Sequence, residues 1–185
     1  TVAEVSRPVR IGTAAALPNV LAASSYHTCA VSADATVSCW GSNSDGQLGN
    51  GTTTDSVQPV AVTGLVDAVE VAAGDYHSCA RLASGAVSCW GANFDGQLGD
   101  GTGTESLTPV AVLGLTDATA IAAGYAHTCA VRATGSVVCW GYNSNGKLDD
   151  GTAALRLSAM TVPSPARAIA DGTGDELKNR VGGER

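Results

Sequence analysis

The sequence has few aromatic residues, few positive charges and no long hydrophobic run, and each shortage excludes a class of protein. Aromatic residues make up 4% of the 185 residues, with a single Phe, although hydrophobic residues as a whole make up 44%. The 10 Lys and Arg side chains are outnumbered by 17 Asp and Glu, and the net charge of −7 disfavours nucleic-acid binding. No stretch approaches the roughly 18 apolar residues of a membrane-spanning helix. We therefore expect neither nucleic-acid binding nor a membrane span.

Catalytic motifs are also missing: there is no nucleophile elbow and no glycine-rich phosphate loop before a helix. The sequence is instead rich in glycine, with 23 residues, and its apolar residues are mostly Ala, Val and Leu. This composition favours short strands and tight turns over long helices. We therefore expect a protein that is not an enzyme and that carries no cofactor.

The chain contains three near-copies of one unit, aligned without gaps at a period of 50 residues. Such a period is typical of propellers and repeat arrays. We place an N-terminal segment with a partial strand at 1–24, repeats at 25–74, 75–124 and 125–163, and a degenerate repeat with a loose tail at 164–185. In the N-terminal segment, Arg7–Ile11 resembles Gln58–Val62, an outer strand of the first repeat.

One unit contains four short apolar runs, which we predict to be strands at 68–73, 77–82, 86–90 and 107–112. Four strands per unit make one propeller blade, so we predict an all-β partial propeller of about three four-stranded antiparallel blades. Closed propellers need about 4–8 blades. Three blades leave exposed strand edges that invite pairing, so we expect either a longer natural protein, which we favour, or self-association through the open edges.

The recurring motifs H-[ST]-C-A, C-W-G-x-N, G-[QK]-L and G-T resemble the regulator of chromosome condensation repeat family, in its bacterial type. The resemblance covers residues 20–163, although Lys147 replaces Gln and Asp149 replaces Gly in the third unit. It implies a fragment of a seven-bladed disc that binds proteins. The best-known member is a nucleotide exchange factor for a small GTPase and binds chromatin, and a bacterial member is a secreted inhibitor of a β-lactamase.

Each unit carries two cysteines ten residues apart. A three-residue turn ending at Gly85 places Cys79 opposite Cys89 in an antiparallel hairpin, at a position where side chains approach closely. We predict three disulfides in an oxidising compartment, which means an extracellular or periplasmic location, with a cytoplasmic one as the alternative. The same register gives all three pairs: Cys29 with Cys39, Cys79 with Cys89, and Cys129 with Cys139. In the first pair's turn Ala35 replaces the glycine, which predicts a strained or different turn.

Two other interpretations of the cysteines stay open at this point. They are buried free thiols, or a zinc site built from His27, Cys29 and Cys39 and repeated in each unit. The runs that begin at Asn43 and Asn93 also resemble calcium loops, but they lack the later acidic ligand. Asn and Asp before Gly form turns without a metal.

The histidines and tryptophans recur identically, which argues for repeated structural contacts rather than one catalytic pocket. We expect each His to bind a neighbouring loop carbonyl, and each Trp to wedge between sheets with its indole N–H bonded. The residues assigned to this structural set are His27, His77, His127, Trp40, Trp90 and Trp140.

Every Tyr and the only Phe fall in the first and third connections of the units, which lie on one rim of an antiparallel blade. Aromatic side chains are favoured at binding hot spots, and acidic residues accompany them. The predicted protein-binding rim consists of Tyr26, Tyr76, Phe94, Tyr125, Tyr142, Asp45, Asp75 and Asp95. The alternative for Tyr26 and Tyr76 is that they only pack between blades.

The sequence thus favours a secreted, non-catalytic interaction scaffold for an unidentified protein partner. The alternatives are an intracellular small-GTPase regulator and a propeller enzyme with an unrecognised site. The state of the cysteines discriminates between the first two, because disulfides favour the secreted scaffold and free thiols permit the intracellular regulator.

Overall fold

The computed structural model describes residues 21–162, which form twelve strands and no helix. The strands form three sheets of four strands each. Blade 1 contains β1 Leu21–Ala23, β2 His27–Val31, β3 Val37–Gly41 and β4 Ser56–Ala61. Blade 2 contains β5 Ala68–Ala73, β6 His77–Leu82, β7 Val87–Gly91 and β8 Ser106–Ala111. Blade 3 contains β9 Ala118–Ala123, β10 His127–Arg132, β11 Val137–Gly141 and β12 Arg156–Thr161. The predicted strand at Arg7–Ile11 and the degenerate repeat at 164–185 lie outside the described residues.

Each sheet is an antiparallel meander in which strands follow one another in chain order. Alternation decides which side chains enter the core: Val87 and Cys89 of β7 are buried, and Ser88 between them is partly exposed. At the end of β7 the register with β8 shifts between Cys89 and Gly91. Gly91 has a φ of 107°, and a Cβ there would lie 2.6 Å from the carbonyl oxygen of Tyr76, so only glycine fits.

The main hydrophobic cores lie between blades. One cluster joins Val87 and Leu98 of blade 2 to Ile121 and Trp140 of blade 3, and another joins blade 1 to Trp90 of blade 2 in the same way. We call each of these inter-blade contacts a seam. Because a seam buries side chains from two sheets, each blade depends on its neighbour for part of its core.

The sheets confirm the predicted fold class. Strands β5 and β6 have the predicted bounds, whereas β7 and β8 begin within one residue of the predicted positions. The sheet of blade 2 begins at Ala68, before the start of the sequence repeat at Asp75, so a blade starts with the strand that ends the preceding repeat. In the turn of blade 1, Ala35 adopts a φ of 62°, a conformation that strains any residue with a Cβ.

Candidate functional site

The six cysteines form one disulfide inside each blade, as predicted. The bonds join Cys29 to Cys39, Cys79 to Cys89 and Cys129 to Cys139. In each blade the two residues face each other across the second and third strands, with Cα atoms 4.0–4.1 Å apart. No cysteine is free, so the thiolate ligands of the zinc alternative and the free thiols of the other are absent.

The tryptophans connect the blades through their indole groups. Trp90 Nε1–H donates to the carbonyl oxygen of Gln47 in the preceding blade at 2.9 Å, and Trp140 Nε1–H donates to that of Gln97 at 2.9 Å. Both indoles are fully buried. Trp40 occupies the same position in blade 1 and is only partly buried, because no described blade packs against that side.

Each seam also contains a histidine, which meets a hydroxyl group of the next blade. His27 Nε2 lies 2.6 Å from Ser78 Oγ, and Ser78 Oγ donates to the carbonyl oxygen of Gln47 at 2.9 Å. Because Ser78 Oγ uses its proton to donate to the carbonyl, the imidazole Nε2–H of His27 is the donor in the bond between His27 and Ser78. The same relay recurs in His77, Thr128 and Gln97. The expected carbonyl contact is therefore made through a hydroxyl.

Burial keeps these histidines neutral. Desolvation lowers the pKa of His27 to about 4 and that of His77 to about 3, and the pKa of His127 falls to about 4 because of burial and the nearby Lys147 cation. Ser24 Oγ lies 3.1 Å from His27 Nδ1. Within residues 21–162, the Nδ1 atoms of His77 and His127 have no hydrogen-bond partner. Buried, neutral imidazoles of this kind are poorly placed to exchange protons with a substrate, and those of His27 and His77 connect two blades.

Three tyrosines form a ladder along one rim, across both seams. The ring centroids of Tyr26 and Tyr76 are 5.4 Å apart, and those of Tyr76 and Tyr125 are also 5.4 Å apart. Hydrogen bonding raises the pKa of Tyr76 to about 12, and the bond to Tyr26 contributes more to this shift than the bond to Tyr125. Tyr125 is one residue early relative to the other two units, yet its ring continues the ladder. Tyr26 and Tyr125 remain 50% and 53% exposed.

A shallow cleft of about 230 Å³ opens beside the ladder. Its lining brings together Tyr76, Phe94 and Tyr125 with the carboxylates Asp45 and Asp95. Phe94 is 71% exposed, the highest value for any aromatic side chain among the described residues. Five of the eight residues predicted for the rim therefore surround one depression that is both aromatic and acidic.

The other three predicted rim residues lie apart from the cleft lining. Tyr26 continues the ladder, and Asp75 accepts a hydrogen bond from Ser25 Oγ at 3.2 Å across the first seam. The ring of Tyr142 lies under Lys147, with the Nζ atom 5.0 Å from the ring centroid. Tyr142 is therefore engaged by a cation of its own blade.

The long loops after the third strands are held by buried asparagines. Asn43 Nδ2 donates to the carbonyl oxygens of Thr52 and Thr54 at 2.9 and 3.1 Å, and its Oδ1 accepts the amide of Leu48 at 2.9 Å. Asn93 and Asn143 repeat these contacts. The Asn Oδ1 atom, which a calcium loop would use as a ligand, thus accepts a backbone amide in each loop.

Sequence reasoning did not anticipate a buried ion pair in blade 2. Glu70 Oε2 accepts from Arg81 Nε at 2.6 Å, and the exposed side-chain fractions are 2% and 15%. Glu70 Oε1 also accepts the amide of Ile121, at 3.2 Å, across the second seam. Only blade 2 has a carboxylate here, since blade 3 has Ala120, so the repeat pattern gave no signal for it.

These features define the class: a β-propeller of disulfide-bonded blades that are joined by Trp and His contacts. Models of the regulator of chromosome condensation (RCC1) repeat match residues 34–81 and 84–131, and a second model of this repeat matches 68–97 and 118–147. The chain therefore belongs to the RCC1 repeat family.

Solved structures place the chain in the same fold. Human WBSCR16 is similar with a TM-score of 0.71 and 26% identity, over 81% of this chain and 40% of that one. Prp20p from Saccharomyces cerevisiae, described with its binding to Gsp1p and histones, has a TM-score of 0.71 at 20% identity, over 78% of this chain and 38% of that one. Yeast RCC1 (Prp20) bound by Kap60 has a TM-score of 0.67 at 22% identity, over 78% of this chain and 37% of that one.

The chain thus spans about 40% of the length of these structural relatives. No curated protein sequence matches it. Within residues 21–162, no helix is long and apolar enough to cross a membrane. Family membership and fold are therefore established, and they are consistent with a role in protein interaction or regulation.

Proposed function

We propose that this chain is a non-catalytic scaffold that binds a protein partner through its aromatic and acidic rim. The observation that carries the proposal is the cleft, which combines the exposed ring of Phe94 with Tyr76, Tyr125, Asp45 and Asp95. Exposed aromatic anchors beside polar groups are typical of binding hot spots. The histidines that an enzyme would use as bases are instead buried, and His27 and His77 are enclosed in the two seams.

The cleft favours a partner that presents a basic side chain. A Lys or Arg cation over Phe94 or Tyr125 would gain cation–π energy, and the carboxylates of Asp45 and Asp95 would pair with its charge. The net charge of −7 would accelerate the approach of a basic surface. Prp20p is described as binding other proteins, which agrees with an interaction role.

The three disulfides favour action outside the cytosol, because structural disulfides persist in oxidising compartments. We propose an extracellular or periplasmic location. A cytosolic exchange factor for a small GTPase would have to maintain three such bonds against glutathione, which makes it the weaker candidate.

The test compares two variants that differ in which rim they alter. Phe94→Ser combined with Asp95→Asn removes an anchor and a charge from the cleft, whereas Val66→Ser changes a residue that is 62% exposed in the connection before β5, on the opposite rim. The immobilised proteins are exposed to the secreted and the cytosolic protein fractions of the source organism.

We expect at least one secreted protein to be retained by the wild type and by Val66→Ser, and to be lost with the double variant. Thermal unfolding of all three proteins serves as the control, and we expect little change because both sites are exposed. If the double variant retains the same proteins as the wild type, the assigned rim is wrong.

A further inference from the structure

Every seam has two complementary sides. The trailing face of one blade supplies a carbonyl, a glycine and a histidine, and the leading face of the next supplies an indole, a hydroxyl and an outer-strand residue. In the second seam the trailing groups are those of Gln97, Gly99 and His77, and the leading groups are Trp140, Thr128 and Leu157. The arc has one face of each kind without a described neighbour.

Blade 1 presents a complete leading face. The residues that correspond to Trp140, Thr128 and Leu157 are Trp40, Thr28 and Val57. Trp40 and Thr28 are partly exposed, and Val57 is 90% exposed. Blade 1 therefore carries each of the groups with which a leading face enters a seam, and among residues 21–162 no second blade packs on them.

The trailing face of blade 3 differs from the other two at one decisive position. Gly49 and Gly99 are buried, with φ angles of 67° and 69°. The third unit has Asp149 there, exposed and with a φ of 51°. Its amide still donates to Gly146, at 3.2 Å, as the amide of Gly99 donates to Gly96 at 3.0 Å. The turn is therefore preserved and only the side chain is new.

The glycines are needed because an indole packs directly on them. A Cβ on Gly49 would lie 2.7 Å from Trp90 Nε1, and a Cβ on Gly99 would lie 2.6 Å from Trp140 Nε1. Asp149 carries such a Cβ and, beyond it, a carboxylate that the indole would desolvate at a cost. Next to it, Lys147 replaces the buried Gln47 and Gln97, whose Oε1 atoms accept the amides of Asp45 and Asp95.

We infer that Asp149 blocks head-to-tail association, by preventing the leading face of a second copy from docking on blade 3. Without such a block, two complementary faces on one chain would generate rings or open filaments. The inference does not depend on the proposed function of the rim.

The test restores the seam. Asp149→Gly with Lys147→Gln recreates the trailing face of blades 1 and 2, and glycine accepts the φ of 51° without strain. Sedimentation velocity over a wide range of concentrations reports the mass. We expect the double variant to associate at least about tenfold more tightly than the wild type, and we expect Trp40→Ala in the double variant to return it to the monomer.

A converse variant checks the steric argument inside the molecule. Gly99→Asp puts the blocking residue into the second seam, against Trp140, and we expect a clear fall in the unfolding midpoint. The inference is overturned if Gly99→Asp is as stable as the wild type or if the double variant has the wild-type mass at every concentration. It is equally overturned if the wild type itself associates and Trp40→Ala dissolves the assembly.

Discussion

Blade 2 and blade 3 are built from nearly the same unit, yet they differ in what covers them. Blade 2 has a seam on both sides, and the clusters that contain these seams have 11 and 12 buried hydrophobic residues. Among the described residues, blade 3 has a seam on one side only, and the cluster on its trailing face has three, namely Val137, Cys139 and Leu148. The trailing glycine is buried in blade 2, and Asp149 is exposed in blade 3.

This difference shows where the stability of the fold resides. The strand hydrogen bonds and the disulfide are the same within each blade, so they do not distinguish the middle blade from the last one. Apart from single ion pairs such as that of Glu70 and Arg81, the distinguishing contacts are the indole, imidazole and core contacts between blades. We therefore expect stability to depend on position in the arc more than on the sequence of a unit.

The largest expected effect comes from removing a seam tryptophan. Trp90→Ala takes out a fully buried indole and its bond to Gln47, and we expect a loss of about 3–5 kcal/mol in the free energy of unfolding. Trp40→Ala removes the equivalent, partly exposed side chain and should cost much less. Urea unfolding of the two variants measures the difference. Equal losses would mean that the indole acts within its own blade.

A second comparison concerns two ion pairs. Glu70→Gln keeps the shape of the side chain but leaves the mostly buried Arg81 without its counter-charge, and we expect a loss of about 3 kcal/mol. Asp117→Asn breaks the pair with Arg132, whose partners are 32% and 34% exposed, and should cost less than about 1 kcal/mol. Urea unfolding would contradict this account if the two losses were similar.

The seam histidines predict a dependence of stability on pH. Because burial holds the pKa of His77 at about 3, the folded state keeps this imidazole neutral while the unfolded chain protonates near 6.5. Stability is therefore fully present above pH 6.5 and decreases as the pH falls from there toward 3. We expect His77 alone to account for about 2 kcal/mol between pH 7 and pH 5.

Urea unfolding at several pH values measures this slope, and His77→Gln should reduce it. The lowered pKa values of Asp34 and Asp150 affect the free energy of unfolding only below about pH 4. They therefore do not contribute to the slope between pH 7 and pH 5. A stability that is constant from pH 7 to pH 5 would show that the imidazoles are not buried as described.

The smallest effect distinguishes the hairpin turns of blades 1 and 2. Ala35 has a φ of 62°, and Gly85 occupies the same position with a φ of 86°. Ala35→Gly relieves the left-handed strain, which we expect to stabilise the protein by up to about 1 kcal/mol. Gly85→Ala should destabilise it, because a Cβ there would lie 2.8 Å from the carbonyl oxygen of Thr116. Calorimetry resolves the sign, and a fall on Ala35→Gly would contradict the strain.

Much of the blade was predictable from the sequence because its determinants are local. The alternation of Val87 and Cys89 and the glycine at 85 fixed the pairing of Cys79 with Cys89, and the same logic located the turn at Ala35. Meander geometry was enough to predict that Tyr76 and Phe94 share a rim, and both line one cleft.

The contacts between blades were not predictable in the same way. The replacements at 147 and 149 were visible in the repeat alignment, but their consequence depends on the indole that packs against the equivalent glycines. The ion pair of Glu70 and Arg81 has no counterpart in the other units, so periodicity could not reveal it. Both features require the spatial relation of two sheets, which a single repeat does not encode.

Native-state amide hydrogen exchange tests the central claim, that the seams hold the fold together, most directly. We expect the amides of β6 and β7, in the blade with two seams, to exchange more slowly than those of β10 and β11, in the blade with one. Equal protection in the two blades, or slower exchange in blade 3, would contradict the claim.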